Sequence, residues 1–429
     1  MFSKLKNNKF LKNSILYTIG SMMTPLISFI MLPIYTNYLT PAEYGVMTTV
    51  QTLVGMFQVL LVLSLQGAVT RFYYDYLGDP NKLKEYLGSI YSFVFLFSTI
   101  SAVVLILMSK QIGSFLFSSI PINPFYYYMI GLSWLNALFA LPMSLLRAQE
   151  RASFFVMVNI IKSLLVMLLS AYFIIVRHFG AESALMSQLC ITGVVVLFLF
   201  FKQKPFIKLN LNSIYIKYSL MFSIPMLPHI ASGWIIKSSD RIILEKFVDL
   251  NEIGIYSLAA QVSMVLALFY QGVNNALAPR YTKLRKDNKH DDANKLLKTF
   301  FFIVLSFGII AIPIAMIGAK ILSSDAYNSA IWLIPFLIIG QMIKGFYFIP
   351  VANLFYYKKT RSIASSSTIA ALINIIINFM LIPIIGIFGA VISTIVAELA
   401  RMLLIYRGSS EVKSETTVSS LNKEREVIK

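Results

Sequence analysis

The chain has one cysteine, Cys190, three histidines, only 13% charged residues and just 19 acidic side chains in 429 residues. A single cysteine forms no internal disulfide, and three scattered histidines, His178, His229 and His290, offer no metal-ligand cluster, so no cofactor or metal is expected. No Gly-x-x-x-x-Gly-Lys-Ser/Thr loop is present, which argues against a nucleotide-driven pump within one chain. The external connections offer acidic residues only as scattered singles, Glu43, Asp240, Asp249 and Asp325, with no active-site grouping for a glycosyltransferase. No bond-making chemistry is legible, and the reading is not an enzyme.

What is abundant is hydrocarbon. Apolar residues make up 57% of the chain, against about 45–50% in soluble domains, and no single water-soluble core hides that surplus. The apolar runs are long enough for helices, whereas barrel strands would alternate over about ten residues. Spans are expected near 14–36, 44–68, 86–109, 124–147, 152–176, 182–201, 214–238, 252–278, 298–319, 328–351, 362–384 and 386–405. The basic start followed by an apolar run mimics a signal peptide, but without a small-residue cleavage site it is read as the first helix. The segment 182–201 and the crowded pair 362–405 are the least distinct. The connection 279–297 is expected to be the longest, a solvated basic loop, and the polar tail after Gly408 to be disordered or a frayed helix.

The net charge of +18 is explained by where the basic residues fall. Segments 4–12, 71–84, 147–151, 202–217, 280–298, 358–361 and 401–429 hold 29 of the 37 lysines and arginines, while the alternate connections hold six. By the positive-inside rule this places both termini in the cytoplasm, and no nucleic-acid partner is needed.

An internal echo links the two halves. Pro41-Ala42-Glu43-Tyr44-Gly45 and Leu250-Asn251-Glu252-Ile253-Gly254 both place Glu-x-Gly at the start of a long apolar run, 209 residues apart, after a proline-bearing segment (Pro25 and Pro33; Pro225 and Pro228). The acid suits a helix N-terminus and the glycine a close helix approach. Six intervening spans make the repeats parallel, which predicts an all-α polytopic membrane protein of about 12 transmembrane helices in two six-helix bundles around a central cavity. The bundles would cover 1–209 and 210–407, followed by a polar cytoplasmic tail, 408–429. Proline frees backbone carbonyls and permits bends at the start of each bundle.

Ionisable groups within spans are the candidate site. Lys162 lies ten residues into its helix, near the midplane, either facing a cavity or snorkelling through lipid. Lys344, about seven residues from a cytoplasmic end, has the same alternatives. Arg71 either marks the interface, paired with Asp75, or admits an anionic headgroup. The seventh span gathers His229, Lys237, Asp240 and Arg241. His229 is either a packing or a binding residue, and Lys237 with Arg241 is either part of a compensated cluster or a cationic face. Glu398 and Arg401, spaced i,i+3, read as a structural ion pair. Cys190 reads as an inert core residue.

Ser223-Ile224-Pro225-Met226-Leu227-Pro228-His229, Ser239-Asp240-Arg241-Ile242-Ile243-Leu244, Glu252-Ile253-Gly254-Ile255-Tyr256-Ser257-Leu258-Ala259 and Leu39-Thr40-Pro41-Ala42-Glu43-Tyr44-Gly45 carry a family resemblance. The chain resembles the oligosaccharide-lipid flippases of polysaccharide export, the O-antigen translocase type, within the exporter superfamily that also holds multidrug extruders and the peptidoglycan-precursor flippase. The resemblance implies translocation of an undecaprenyl-pyrophosphate-linked repeat unit between leaflets of a bacterial inner membrane, by alternation around a cationic cavity. Its partners would be that lipid-linked oligosaccharide with its anionic pyrophosphate headgroup, membrane lipids, and a polysaccharide polymerase with chain-length machinery. A cation-coupled drug extruder would carry a buried carboxylate in the first bundle, yet 14–36 contains no Asp or Glu. The peptidoglycan-precursor flippase usually has fourteen spans, two more than this chain offers.

Overall fold

A computed structural model describes residues 9–427; Lys4 and Lys6 of the first basic segment lie outside them. Among the described residues there is no strand, in keeping with a hydrocarbon solvent that leaves backbone groups no partners but their own helix. Eleven helical segments among the described residues are long and apolar enough to cross a membrane. The remaining expected span is occupied by α1 (Lys9–Ile30) and α2 (Leu32–Tyr38), with Pro33 in the first turn of α2 where its missing N–H breaks the ladder.

All twelve expected positions carry helix. The second span is divided into α3 (Pro41–Val62) and α4 (Leu65–Phe72), because Leu63 and Ser64 both adopt left-handed backbone, φ 51° and 58°. There follow α5 (Pro80–Leu107), the short α6 (Ser109–Leu116), α7 (Ile122–Ala148), α8 (Ala152–Ile175) and α9 (Glu182–Gln203). The seventh span breaks at Pro225 into α10 (Ser213–Ser223), a 3₁₀ turn and α11 (Leu227–Phe247). The chain continues through α12 (Leu250–Lys286), α13 (His290–Leu322), α14 (Ala330–Tyr356), α15 (Thr360–Ile385) and α16 (Ile387–Val427). The indistinct segments 182–201 and 362–405 resolve into α9 and the pair α15 and α16.

The expected long loop at 279–297 is instead mostly helix. α12 runs to Lys286 and α13 begins at His290. Lys283, Arg285 and Lys286 occupy the last turn of α12, and Asp291 and Asp292 the first turn of α13, each charge matched to its helix end. Tyr281 is buried and donates its hydroxyl to Asn353 Oδ1 at 3.1 Å, so the extension packs as well as solvates. The polar tail continues as helix to Val427.

Packing divides the chain into two compact units. The first comprises 1–234, 241–257 and 322–327, the second 235–240, 258–321 and 328–429. In the first unit α7 is the hub: α3, α4, α5 and α9 pack on it, and α8 joins α9 to α1. Its inward face is fully buried at Tyr126, Met129, Leu132, Ala137 and Leu145. The basic connections meet at one end of this unit. Tyr74 Oη donates to the Ala148 carbonyl at 2.9 Å, and the Lys208 N–H to the Lys84 carbonyl at 3.1 Å. Connections poor in basic residues meet at the other end, where the Ser324 hydroxyl donates to the Thr36 carbonyl at 2.7 Å and that of Tyr327 to Leu39 at 3.1 Å. In the second unit α14, α15 and α16 pack together, and Tyr270 of α12 donates to the Val304 carbonyl of α13 at 2.7 Å.

Candidate functional site

Lys162 stands where the sequence places it, ten residues or about 15 Å beyond Ala152 at the start of α8. The side chain is half-buried, and its ammonium sits 4.1 Å from the centre of the Phe139 ring of α7. No carboxylate among the described residues makes an ion pair with it. The end of α7 and the start of α8 continue the theme, with Arg147 over Phe155 at 5.7 Å and Arg151 over Phe206 at 5.4 Å. An aromatic face holds a cation by its quadrupole while leaving the formal charge intact. The arrangement therefore suits reversible contact with an anion.

The echoed segments meet one another. Thr40 caps α3 and exchanges bonds with Glu43, whose Oε2 accepts the Thr40 N–H at 2.9 Å, so the acid has the N-terminal role expected of it. A Cβ at Gly45 would overlap the Leu250 carbonyl oxygen, and one at Gly254 the Pro41 carbonyl oxygen. The two contacts are one contact read twice at the 209-residue offset. Three residues further along each helix, the Thr48 hydroxyl donates to Ser257 Oγ at 2.9 Å, again at an offset of 209. Arg241 Nε also donates to Ser257 Oγ, at 3.1 Å.

In the second unit Lys344 is the fifteenth residue of the 27-residue α14, nearer mid-helix than expected because α14 continues to Tyr356. It is half-buried and lies within Coulombic reach of Glu398 and Arg401. That pair is formed as expected: Arg401 Nη2 is 3.2 Å from Glu398 Oε2, both residues are buried, and the guanidinium lies 4.0 Å over Tyr347. The Glu398–Arg401 pair is compensated within itself, and Lys344 makes no ion pair with it.

The other candidates are spread out. Arg71 pairs with Asp75 at 2.8 Å, and both side chains are exposed. His229 and Lys237 are exposed on α11, while Asp240 is buried. Arg241 is committed to Ser257 and lies 6.0 Å over Tyr256. Cys190 is exposed on α9 rather than in a core, since an apolar thiol suits a lipid-facing position as well.

Two polar groupings escaped the sequence reading. Buried Asn374 and Asn378 of α15 bond each other at 3.2 Å, Ser393 of α16 donates to Asn378, and Ser239 donates to Asn374 Oδ1 at 3.0 Å. Their i,i+4 spacing was visible, but uncharged amides drew no attention. Glu245, buried at the end of α11, accepts the backbone N–H groups of Ser119 at 2.7 Å and Ile120 at 3.3 Å, together with that of Ser118. Nothing in sequence links residue 245 to that turn.

A family model described as polysaccharide biosynthesis protein matches residues 10–285. A Haemophilus influenzae protein of the Lsg locus is 24% identical over 378 residues, covering 86% of this chain and 90% of that one. A Haloferax volcanii protein named as a probable low-salt glycan biosynthesis flippase, Agl15, is 21% identical over 398 residues, covering 89% and 80%. Among solved structures, the lipid II flippase MurJ in an inward closed conformation gives a TM-score of 0.75 at 14% identity over 92% of this chain and 87% of its own. An inward-facing multidrug resistance MATE family transporter gives 0.72 at 14% identity over 96% and 99%. Both likenesses establish a shared fold.

Proposed function

The chain belongs to the polysaccharide biosynthesis protein family, and from that premise we propose that it is a flippase for an undecaprenyl-pyrophosphate-linked oligosaccharide repeat unit, carried from the cytoplasmic to the outer leaflet of a bacterial inner membrane. Both termini lie in the cytoplasm in this reading, and the bundles 1–209 and 210–407, with the tail 408–429, are the parts that alternate. The observation that carries it is Lys162, a mid-span ammonium held by an aromatic ring and paired with no carboxylate among the described residues. A pyrophosphate leaving water needs positive charge to replace its hydration, and a lipophilic cation would be repelled there. Agl15, named as a flippase, supports the cargo class. No covalent bond is made or broken in this scheme, and the product would pass to a polymerase on the far side.

The test is a leaflet assay in proteoliposomes with a fluorescent polyprenyl-pyrophosphate sugar. The label becomes accessible on the opposite leaflet when the protein is present, an excess of lipophilic cation does not compete, and Lys162→Glu suppresses the movement at normal membrane abundance. Transport of the cation, with the lipid-linked sugar left in place, overturns the proposal in favour of a drug extruder of the same fold.

A further inference from the structure

α5 and α9 both pack on α7, and between them the first unit opens an apolar groove of about 780 Å³. Its walls include Phe95 of α5, Trp134 and Leu138 of α7, and Leu197 and Phe200 of α9, and Leu209 of the segment 204–212 closes one end. Phe95, Leu197 and Leu209 are exposed, so the groove opens sideways.

Its polar atoms are largely spoken for. Tyr91 Oη donates to Gln203 Oε1 at 2.7 Å, Gln203 Nε2 to the Pro142 carbonyl at 3.0 Å, and Trp134 Nε1 to Thr99 Oγ1 at 3.0 Å. Asn210 Oδ1 accepts the Ser89 hydroxyl at 2.7 Å. A ligand rich in hydrogen-bonding groups finds few partners, whereas a hydrocarbon chain needs none. Length narrows the choice further. On α7 the lining runs from Trp134 to Pro142, eight residues or about 12 Å, close to one leaflet of a hydrocarbon core about 30 Å thick.

The segment 204–212 is held in place. The Lys208 carbonyl sits where a Cβ on Gly88 would be, and Lys208 Nζ pairs with Glu85 at 2.8 Å. Lys204, one helical turn beyond the lining residue Phe200, is exposed and makes no ion pair with a carboxylate among the described residues. An apolar slot nearly one leaflet deep with an uncompensated ammonium beyond its end fits an anionic amphiphile. We propose that the groove holds an acyl chain of an anionic glycerophospholipid from the leaflet on the side of the 204–212 segment, with its phosphate at Lys204. The lipid wedges α5 apart from α9. This site is independent of the cargo assignment above.

Trp134 is a built-in probe, since the other two tryptophans, Trp234 and Trp332, can be replaced. The full-length Trp234→Phe/Trp332→Phe protein is placed in vesicles containing phosphatidylglycerol or phosphatidylcholine brominated along the acyl chains, and Trp134 fluorescence is measured. Brominated phosphatidylglycerol should quench at lower mole fraction, with a preference of about fivefold for the one lysine engaged. Lys204→Gln should remove the preference, whereas Lys202→Gln, on the opposite face of α9, should leave it. Gly193→Leu should weaken quenching by both lipids, because a Cβ there meets Leu135 only at 3.7 Å and the longer side chain enters the groove. Equal quenching by both lipids, unmoved by Lys204→Gln, overturns the proposal and leaves ordinary lipid contact. Displacement of brominated phosphatidylglycerol by a few mole per cent of polyprenyl phosphate also overturns it and assigns the groove to an isoprenoid chain.

Discussion

Gly254→Ala is the sharpest perturbation of the α3 and α12 crossing. The added methyl overlaps the Pro41 carbonyl oxygen, a backbone atom in the first turn of a capped helix, so no rotamer change relieves it. Forcing one carbon into such a packed contact costs about 1–3 kcal/mol. If the helices separate to accommodate it, the hydrogen bond between Thr48 and Ser257 is lost as well, worth about 0.5–1.5 kcal/mol. The sum, about 1.5–4.5 kcal/mol, corresponds to a fall of roughly 10- to 2000-fold in the crossed population relative to the separated one.

Oxidative cross-linking of a Thr48→Cys/Ser257→Cys protein reads that population directly, because the two hydroxyl oxygens stand 2.9 Å apart. The cysteine pair has already removed the Thr48–Ser257 hydrogen bond, so adding Gly254→Ala should slow cross-linking by the overlap alone, about 1–3 kcal/mol or roughly 5- to 150-fold. Gly45→Ala should slow it by a comparable factor, since its Cβ meets the Leu250 carbonyl in the mirror-related contact. Gly67→Ala is the control, as no atom lies within 4 Å of the Cβ it would add. Unchanged cross-linking in both alanine variants would refute the overlap argument. A large effect in one and none in the other would refute the symmetry.

Further outcomes follow from single sites. Glu398→Gln leaves the buried Arg401 without its carboxylate and should destabilise the detergent-solubilised protein by about 3–5 kcal/mol, while adding Arg401→Met should recover part of the thermal stability; no recovery would argue against a compensated pair. Glu245→Ala strands the backbone N–H groups at 118–120 and should cost about 3 kcal/mol, read as a fall in melting temperature, whereas a neutral result would show that this carboxylate does not hold the 118–120 turn. The Lys82 N–H, helped by that of Asn81, holds the exposed Asp79 carboxyl below its usual range. Because that folded-state value is depressed, the cap of α5 is fully present above the ordinary carboxylate range and fades as pH falls through the depressed value. A fall in the protection of the Asn81 and Lys82 amides on acidification, relative to the intrinsic exchange rate at the same pH, checks it. For orientation, cysteines at positions 206 and 288 should be shielded from an impermeant reagent in intact cells and those at 40 and 180 open, and the reverse pattern would invert the proposed topology.

The twelve helical positions were legible because a membrane fixes the length of an apolar run, and length needs no knowledge of partners. Edges were harder wherever a helix leaves the lipid. In the stretch from Arg280 to Lys298 a polar amphipathic helix and a polar loop have the same composition, and burial of Tyr281 against Asn353 settles the matter through residues 72 positions away. The same blurred edge misjudged Lys344, because its depth was counted from 351 while α14 ends at Tyr356. The Glu-x-Gly echo was visible, yet its extension to Thr48 and Ser257 was missed, since neither residue type is rare. That the echoed segments touch is a tertiary fact. Charged residues announced themselves inside apolar runs, whereas Asn374, Asn378 and Ser393 did not, although amides and hydroxyls also need partners in hydrocarbon.

The two mid-helix lysines are stabilised by different means, and the difference bears on cargo. Lys344 lies within Coulombic reach of both Glu398 and Arg401, so a carboxylate already bound in an ion pair stands in its surroundings. Lys162 has a ring. The quadrupole of Phe139 lowers the cost of an ammonium away from water by about 0.5–2 kcal/mol but removes none of its charge. A group held in this way keeps its attraction for an anion that approaches from the side opposite the ring. Replacing a carboxylate partner with a pyrophosphate would require an ion pair to be broken first, whereas displacing a ring contact does not. Of the two lysines, Lys162 is therefore the one whose surroundings favour binding and releasing an anionic headgroup.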